Sequence, residues 1–187
     1  MYGIDILVKE HDAILRMADV MRKASLHVMN GGELVVADFD AMVDFVRNYA
    51  DKHHHKKEEN LLFDFMVKEL GKIGTNLVTH GMLVEHDLGR LHMSELEQAL
   101  RAYEADNTNT DAKLDIIVNT TAYTYLIRRH ALKENEVVFT FGEKNLKKES
   151  LAAIDEQTKI LEEEGEKEGV QSKYLGILQR LEEKYNQ

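Results

Sequence analysis

The chain has no proline in its 187 residues. Proline breaks helices because it lacks the N–H and its ring clashes with the preceding turn. Its absence, with hardly any two-residue alternation of apolar and polar side chains, favours an all-α chain. Cysteine is absent as well, which excludes disulfides, thiolate metal sites, iron–sulfur clusters and cysteine nucleophiles together. No apolar run approaches the length of a membrane span, and Asp5 and Glu10 stand where a signal peptide would be basic and then apolar. The expected compartment is therefore cytoplasmic. Positive charge is in deficit: the formal net charge is −10, which argues against nucleic acid or an anionic membrane as partner.

What is present is 43% hydrophobic and 31% charged, enough for one domain with a sizeable core, or a core with a helical appendage. Apolar stripes at three-and-four spacing predict four long helices. The first covers 4–29 on Ile4, Leu7, Ile14, Leu15, Ala18 and Met21, stopped by Asn30-Gly31-Gly32. The second covers 37–70 on Val43, Val46, Ala50, Leu61 and Phe65, and the third covers 77–105 on Leu83, Met93, Leu96, Leu100 and Tyr103. After the polar turn Asp106–Asn109, the fourth covers 111–141 on Ile116, Tyr123, Ile127, Val137 and Phe141. An up-down-up-down four-helix bundle is the simplest arrangement of four such helices. Residues 1–142 are its expected extent. A Lys/Glu-rich extension at 143–187 predicts one or two further helices, at 150–168 and 170–185, interrupted near Gly165 and Gly169.

Nine histidines are the main source of chemistry. Residues four apart stack on one helix face, so His54 and Glu58 project side by side, and His130 and Glu134 repeat the spacing. His11 continues the first stripe and His86 the third. At about 1.5 Å per residue, His11 and His86 lie roughly 10–15 Å from one end of such a bundle, His130 and Glu134 roughly 10–17 Å, and His54 and Glu58 roughly 18–24 Å. The six can share one layer. Two carboxylates and four imidazoles in an apolar core are costly unless something pairs with them, and a dinuclear cation centre does so. The donors suit iron first, then manganese or zinc. His55 and His80 lie off the stripes as further potential ligands, while His27, His53 and His92 read as solvent-facing or packing residues. Tyr49 and Tyr123 fall near the inward faces, within two turns of His54 and His130.

The motifs Glu10-His11-Asp12-x-Ile14, His54-x-x-x-Glu58-Glu59-x-x-Leu62-Phe63, Met82-Leu83-x-Glu85-His86-Asp87-x-Gly89-Arg90 and His130-x-x-x-Glu134-x-x-Val137-Val138-Phe139 occur in that order. Together they resemble the hemerythrin-like, or HHE cation-binding, family over about residues 4–141. A ferritin-like chain would instead carry Glu-x-x-His on two helices, which is not found.

The resemblance implies two iron ions in a non-haem, oxo- or hydroxo-bridged centre. Glu58 and Glu134 would bridge them, with His11, His54, His86 and His130 as terminal ligands. It implies binding or sensing of O2 or NO, or, as the alternative, peroxidase or catalase-like handling of peroxide. A third alternative is a module that reports iron or redox state to a separate partner or to a second copy of the chain. Hemerythrins proper carry one more histidine a turn before the third-helix ligand, where this chain has Met82. That leaves one iron more open or bound by another group, and His55 and His80 are the candidates to fill the gap.

Overall fold

Glycine or a side-chain cap marks several of the helix boundaries. In a computed structural model, which describes residues 1–186, α1 spans Tyr2–Met29 and the chain leaves it through Asn30 and Gly31. The second rod, α2, covers 36–69. The reversal into α3, residues 71–105, uses Gly71 at φ 56°, a left-handed backbone that a side chain would strain. α4 covers 110–145, and the Asn109 side chain caps it by accepting the Ala112 N–H at 3.0 Å. α5 spans Lys148–Lys167 and α6 spans Val170–Tyr185, joined through Gly169 at φ 73°. The described residues contain no strand, and none of their helices is long and apolar enough to cross a membrane.

Three of the four long rods are not plain α-helices. Val46–His55 and Glu58–Leu62 in α2, Val78–Met82 in α3 and Glu134–Val138 in α4 open into π turns. A π turn holds more residues than an α turn, so each residue rotates less about the axis. This moves the apolar stripe. At the ends of these π turns and just beyond, the buried residues are Leu62, Phe63 and Met66 in α2, and Val138 and Phe139 in α4. Leu61, Phe65 and Phe141 are only partly buried, and Val137, expected inside, is 49% exposed. The extension differs too: α5 runs unbroken through Gly165, where an added Cβ would come within 3.0 Å of His53 Cε1. That glycine permits a close approach rather than a stop.

Two apolar clusters result. One gathers Ile14, Met21, Phe39, Leu96, Ile116 and Ile127 with Tyr174, Leu178 and Leu181 of α6. The other gathers Leu7, Leu62, Phe63, Met82, Val138 and Phe139 with Ile154 of α5. α1 passes from the second cluster to the first, α2 from the first to the second, and α3 and α4 repeat the alternation. Each rod therefore crosses one polar layer between the clusters. The extension contributes to both cores, and Gly3 donates its N–H to Asp155 at 2.7 Å.

Candidate metal centre

The polar layer holds His11, His54, Glu58, His86, His130 and Glu134, all buried. The four-residue spacing closes as expected: His54 Nε2 lies 3.2 Å from Glu58 Oε1, and His130 Nε2 lies 3.0 Å from Glu134 Oε2. His11 Nε2 comes within 3.3 Å of Glu134 Oε2 and 4.0 Å of Glu58 Oε1. His86 Nε2 is 3.5 Å from Glu58 Oε2 and 3.8 Å from Glu134 Oε1. Glu58 thus turns one oxygen toward His11 and His54 and the other toward His86, while Glu134 turns one toward His11 and His130 and the other toward His86.

Every one of the four rings is held from behind. His54 Nδ1 meets Glu10 at 2.9 Å, His86 Nδ1 meets Glu59 at 2.6 Å, His130 Nδ1 meets Glu85 at 2.9 Å and His11 Nδ1 meets Asn135 Oδ1 at 2.8 Å. An ionised carboxylate only accepts, so the proton belongs on Nδ1 and the lone pair on Nε2. The acceptors form a closed ring. α1 supplies Glu10 to α2, α2 supplies Glu59 to α3, α3 supplies Glu85 to α4, and α4 supplies Asn135 to α1. Each acceptor is the chain neighbour of an inward residue, and one step along a helix turns a side chain sideways toward the next rod. Cations stand behind the three carboxylates: Lys57 on Glu10, Arg90 on Glu59 and Lys133 on Glu85. Phe139 stacks on His11 and Phe63 on His86, closing the layer with apolar faces.

The inward atoms are left unsatisfied. Neither oxygen of Glu58 or Glu134 has a hydrogen-bond partner. His11 and His54 face each other Nε2 to Nε2 at 3.0 Å, and His86 and His130 do so at 3.1 Å. Two ligand atoms about 2.1 Å from one cation and at right angles are about 3 Å apart, which is the spacing observed. The electrostatics agree. Burial alone would lower the His54 pKa, but Glu58 and Glu10 outweigh it and raise it to about 10. Against the same effect of burial, Glu134 and Glu85 raise His130 to about 10. Burial and Glu134 push Glu58 up, yet His54 and His86 hold it below the usual carboxylate range. The layer draws positive charge inward.

His55 and His80 part company. His80 is exposed and joins no buried cluster. His55 is buried, stacks on His86 at 3.7 Å between ring centroids, and groups with Glu58, His86 and His130. Its Nδ1 faces Asp51 at 3.1 Å and its Nε2 has no partner. Burial and neighbouring His86 push its pKa down to about 4, so it is a neutral base. A cavity of about 480 Å³ reaches His55, His86, His130 and Tyr123, whose hydroxyl is buried without a partner. Tyr49 instead packs against Phe45 and His53, and Met82 lies in the apolar cluster.

Sequence reasoning gave no role to the acceptors Glu10, Glu59, Glu85 and Asn135, although a polar residue beside each inward residue was a usable signal. It also read His53 as a solvent-facing or packing residue. His53 is largely buried, 2.9 Å from Glu10 and 3.3 Å from Glu162. No curated protein and no solved structure matches the chain. The family model described as the hemerythrin HHE cation-binding domain matches residues 2–141. With that match over most of its length, and with buried His/Glu clusters able to hold cations, the chain belongs to the hemerythrin HHE cation-binding domain family.

Proposed function

We propose that the chain is a non-haem diiron protein that binds or senses O2 or NO. α1–α4 form the up-down-up-down bundle of residues 1–142, and α5 and α6 are its C-terminal extension. His11 and His54 would hold one iron, His86 and His130 the other, and Glu58 and Glu134 would serve both. The observation that carries this reading is the set of inward atoms: four imidazole Nε2 atoms facing each other in two pairs, and four carboxylate oxygens without hydrogen-bond partners, all buried together. Imidazole and carboxylate without thiolate favour iron, with manganese or zinc next.

Two ferrous ions would supply the electrons taken up by O2 or peroxide and an attachment point for NO. The chain's own residues do the rest. Glu10, Glu59, Glu85 and Asn135 fix the tautomer and orientation of the four rings. Phe63 and Phe139 exclude water from the flanks. The cavity admits a small molecule to the His86/His130 half, where the Tyr123 hydroxyl stands ready to hydrogen-bond it, and the neutral His55 is an additional ligand or a base there.

A second reading, reduction of peroxide, is favoured by that same half. Met82 stands where the resemblance places a further histidine, which leaves that half one imidazole short and open to the cavity. Optical spectra of the anaerobically reduced, iron-loaded protein, followed after adding air, NO or peroxide, decide between them. A persistent charge-transfer absorption with air or NO supports binding and sensing. Rapid passage to a plain diferric spectrum with sustained loss of peroxide supports the second reading. No spectral response to any of the three contradicts both.

A further inference from the structure

Lys57 is a lysine 2% exposed, and its ammonium group sits among three side chains of one buried network. It bonds Glu10 of α1 and Glu162 of α5, and lies 3.0 Å from His53 Nε2. Glu10, His53 and Glu162 are close enough to hold a cation by themselves, and the Lys57 ammonium already occupies that position. Glu10 is bidentate: one oxygen takes Lys57, and the other takes Nδ1 of His54 at 2.9 Å. A continuous path therefore runs from α5, through Glu162, Lys57 and Glu10, to an inward-facing imidazole.

The other half of the centre is built differently. Arg90 and Lys133, which stand behind Glu59 and Glu85, are 39% and 44% exposed and touch neither α5 nor α6 through these bonds. Among the described residues, of these three cations only the one behind Glu10 and His54 bonds the extension. The approach is close: a Cβ at Gly165 of α5 would lie 3.0 Å from His53 Cε1, so the imidazole would have to shift, and Tyr49 and Tyr174 pack on one another next to the network. A buried charge whose partner is removed cannot turn to water, so strain at Glu162 or Lys57 is passed on to Glu10 and its imidazole.

We propose that Glu162 and Lys57 are positioning residues for the metal held by His11 and His54, so that docking of α5 and occupancy of that metal position are coupled. This rests on the dinuclear reading above. Coupling between two such events is reciprocal by thermodynamic necessity. Metal at His54 holds α5 down, and α5 in place tightens metal at His54. The extension thereby carries the state of the centre to the surface of the molecule.

The test is an anaerobic titration of the metal-free full chain with Fe(II) against a competing chelator, for wild type, Lys57→Met, Glu162→Gln and the exposed counterpart Lys133→Met. Removing the direct partner of a ligating histidine costs about 10–100-fold in metal affinity, which is the upper bound for groups that act through Glu10. One of the two equivalents is expected to weaken within that bound in Lys57→Met and Glu162→Gln while the other is unchanged. Lys133→Met is expected to leave that same equivalent at wild-type strength. In wild type, iron is expected to slow hydrogen exchange in 148–167. Two equivalents at wild-type affinity in both variants, a uniform loss of both, or exchange in 148–167 that ignores iron would each overturn the coupling. A wild-type chain binding fewer than two equivalents would overturn the dinuclear reading itself, and the coupling with it.

Discussion

His86 and His130 bring their Nε2 atoms to 3.1 Å from each other across α3 and α4, each with its Nδ1 committed to a carboxylate behind it. Two lone pairs cannot share that gap without a cation. In the metal-free chain protons serve: against the effect of burial, Glu58 and Glu10 raise His54, and Glu134 and Glu85 raise His130, from an ordinary 6.5 to about 10.

The sign of the pH dependence follows. A raised histidine stabilises the fold fully below about pH 6.5, and that contribution is lost as pH rises through about 10. The metal-free protein is therefore expected to lose thermal stability between these values. Metal uptake must displace the same protons, so loading at pH 8 is expected to release at least two per chain, from His54 and His130. Proton release in weakly buffered solution measures it, and uptake without release would count against the site.

Removal of an inward residue has two consequences. His54→Ala or Glu58→Ala is expected to abolish binding of at least one metal ion. In the metal-free chain it strands the buried partner, at a cost of about 3–5 kcal/mol. His27→Ala, at an exposed histidine, is expected to change neither. Metal analysis with thermal denaturation reads both effects.

Asn135 is the one neutral member of the ring of acceptors. Asn135→Asp is expected to make His11 a stronger donor and to favour the more oxidised metal, moving the reduction potential downward. A spectroelectrochemical titration gives the sign. A potential that rises or stays fixed would show that the His11–Asn135 bond does not tune the centre.

The π turn in α4 sets which valine is inside. Val138→Ala is expected to cost about 1–3 kcal/mol, and Val137→Ala less than about 0.5 kcal/mol. Urea denaturation of the metal-free variants distinguishes them, and the reverse order would restore the uninterrupted helix.

The inward residues were legible because a His-x-x-x-Glu pair carries its own geometry: any helix presents both side chains on one face. The rods were legible from their stripes and from Gly31, Gly71, Asn109 and Gly169. The π turns were not, since nothing in Glu134–Val138 marks an i→i+5 turn, and the expected stripe went one residue astray at Val137 and Leu61. His55 and His80 looked equivalent along the chain. Both lie in π turns, Val46–His55 and Val78–Met82, and what separates them is the face each turn presents: His55 meets the polar layer against His86, whereas His80 faces outward. Lys57 was the least legible. In a Lys-Lys-Glu-Glu run it reads as solvated, and its burial depends on Glu162, which lies 105 residues away.

Anomalous diffraction at the iron edge from crystals of the reconstituted chain tests the central claim most directly. Two peaks are expected between Glu58 and Glu134, one within bonding distance of His11 and His54 and the other of His86 and His130. A single peak, no peak, or iron lodged elsewhere would contradict the assignment.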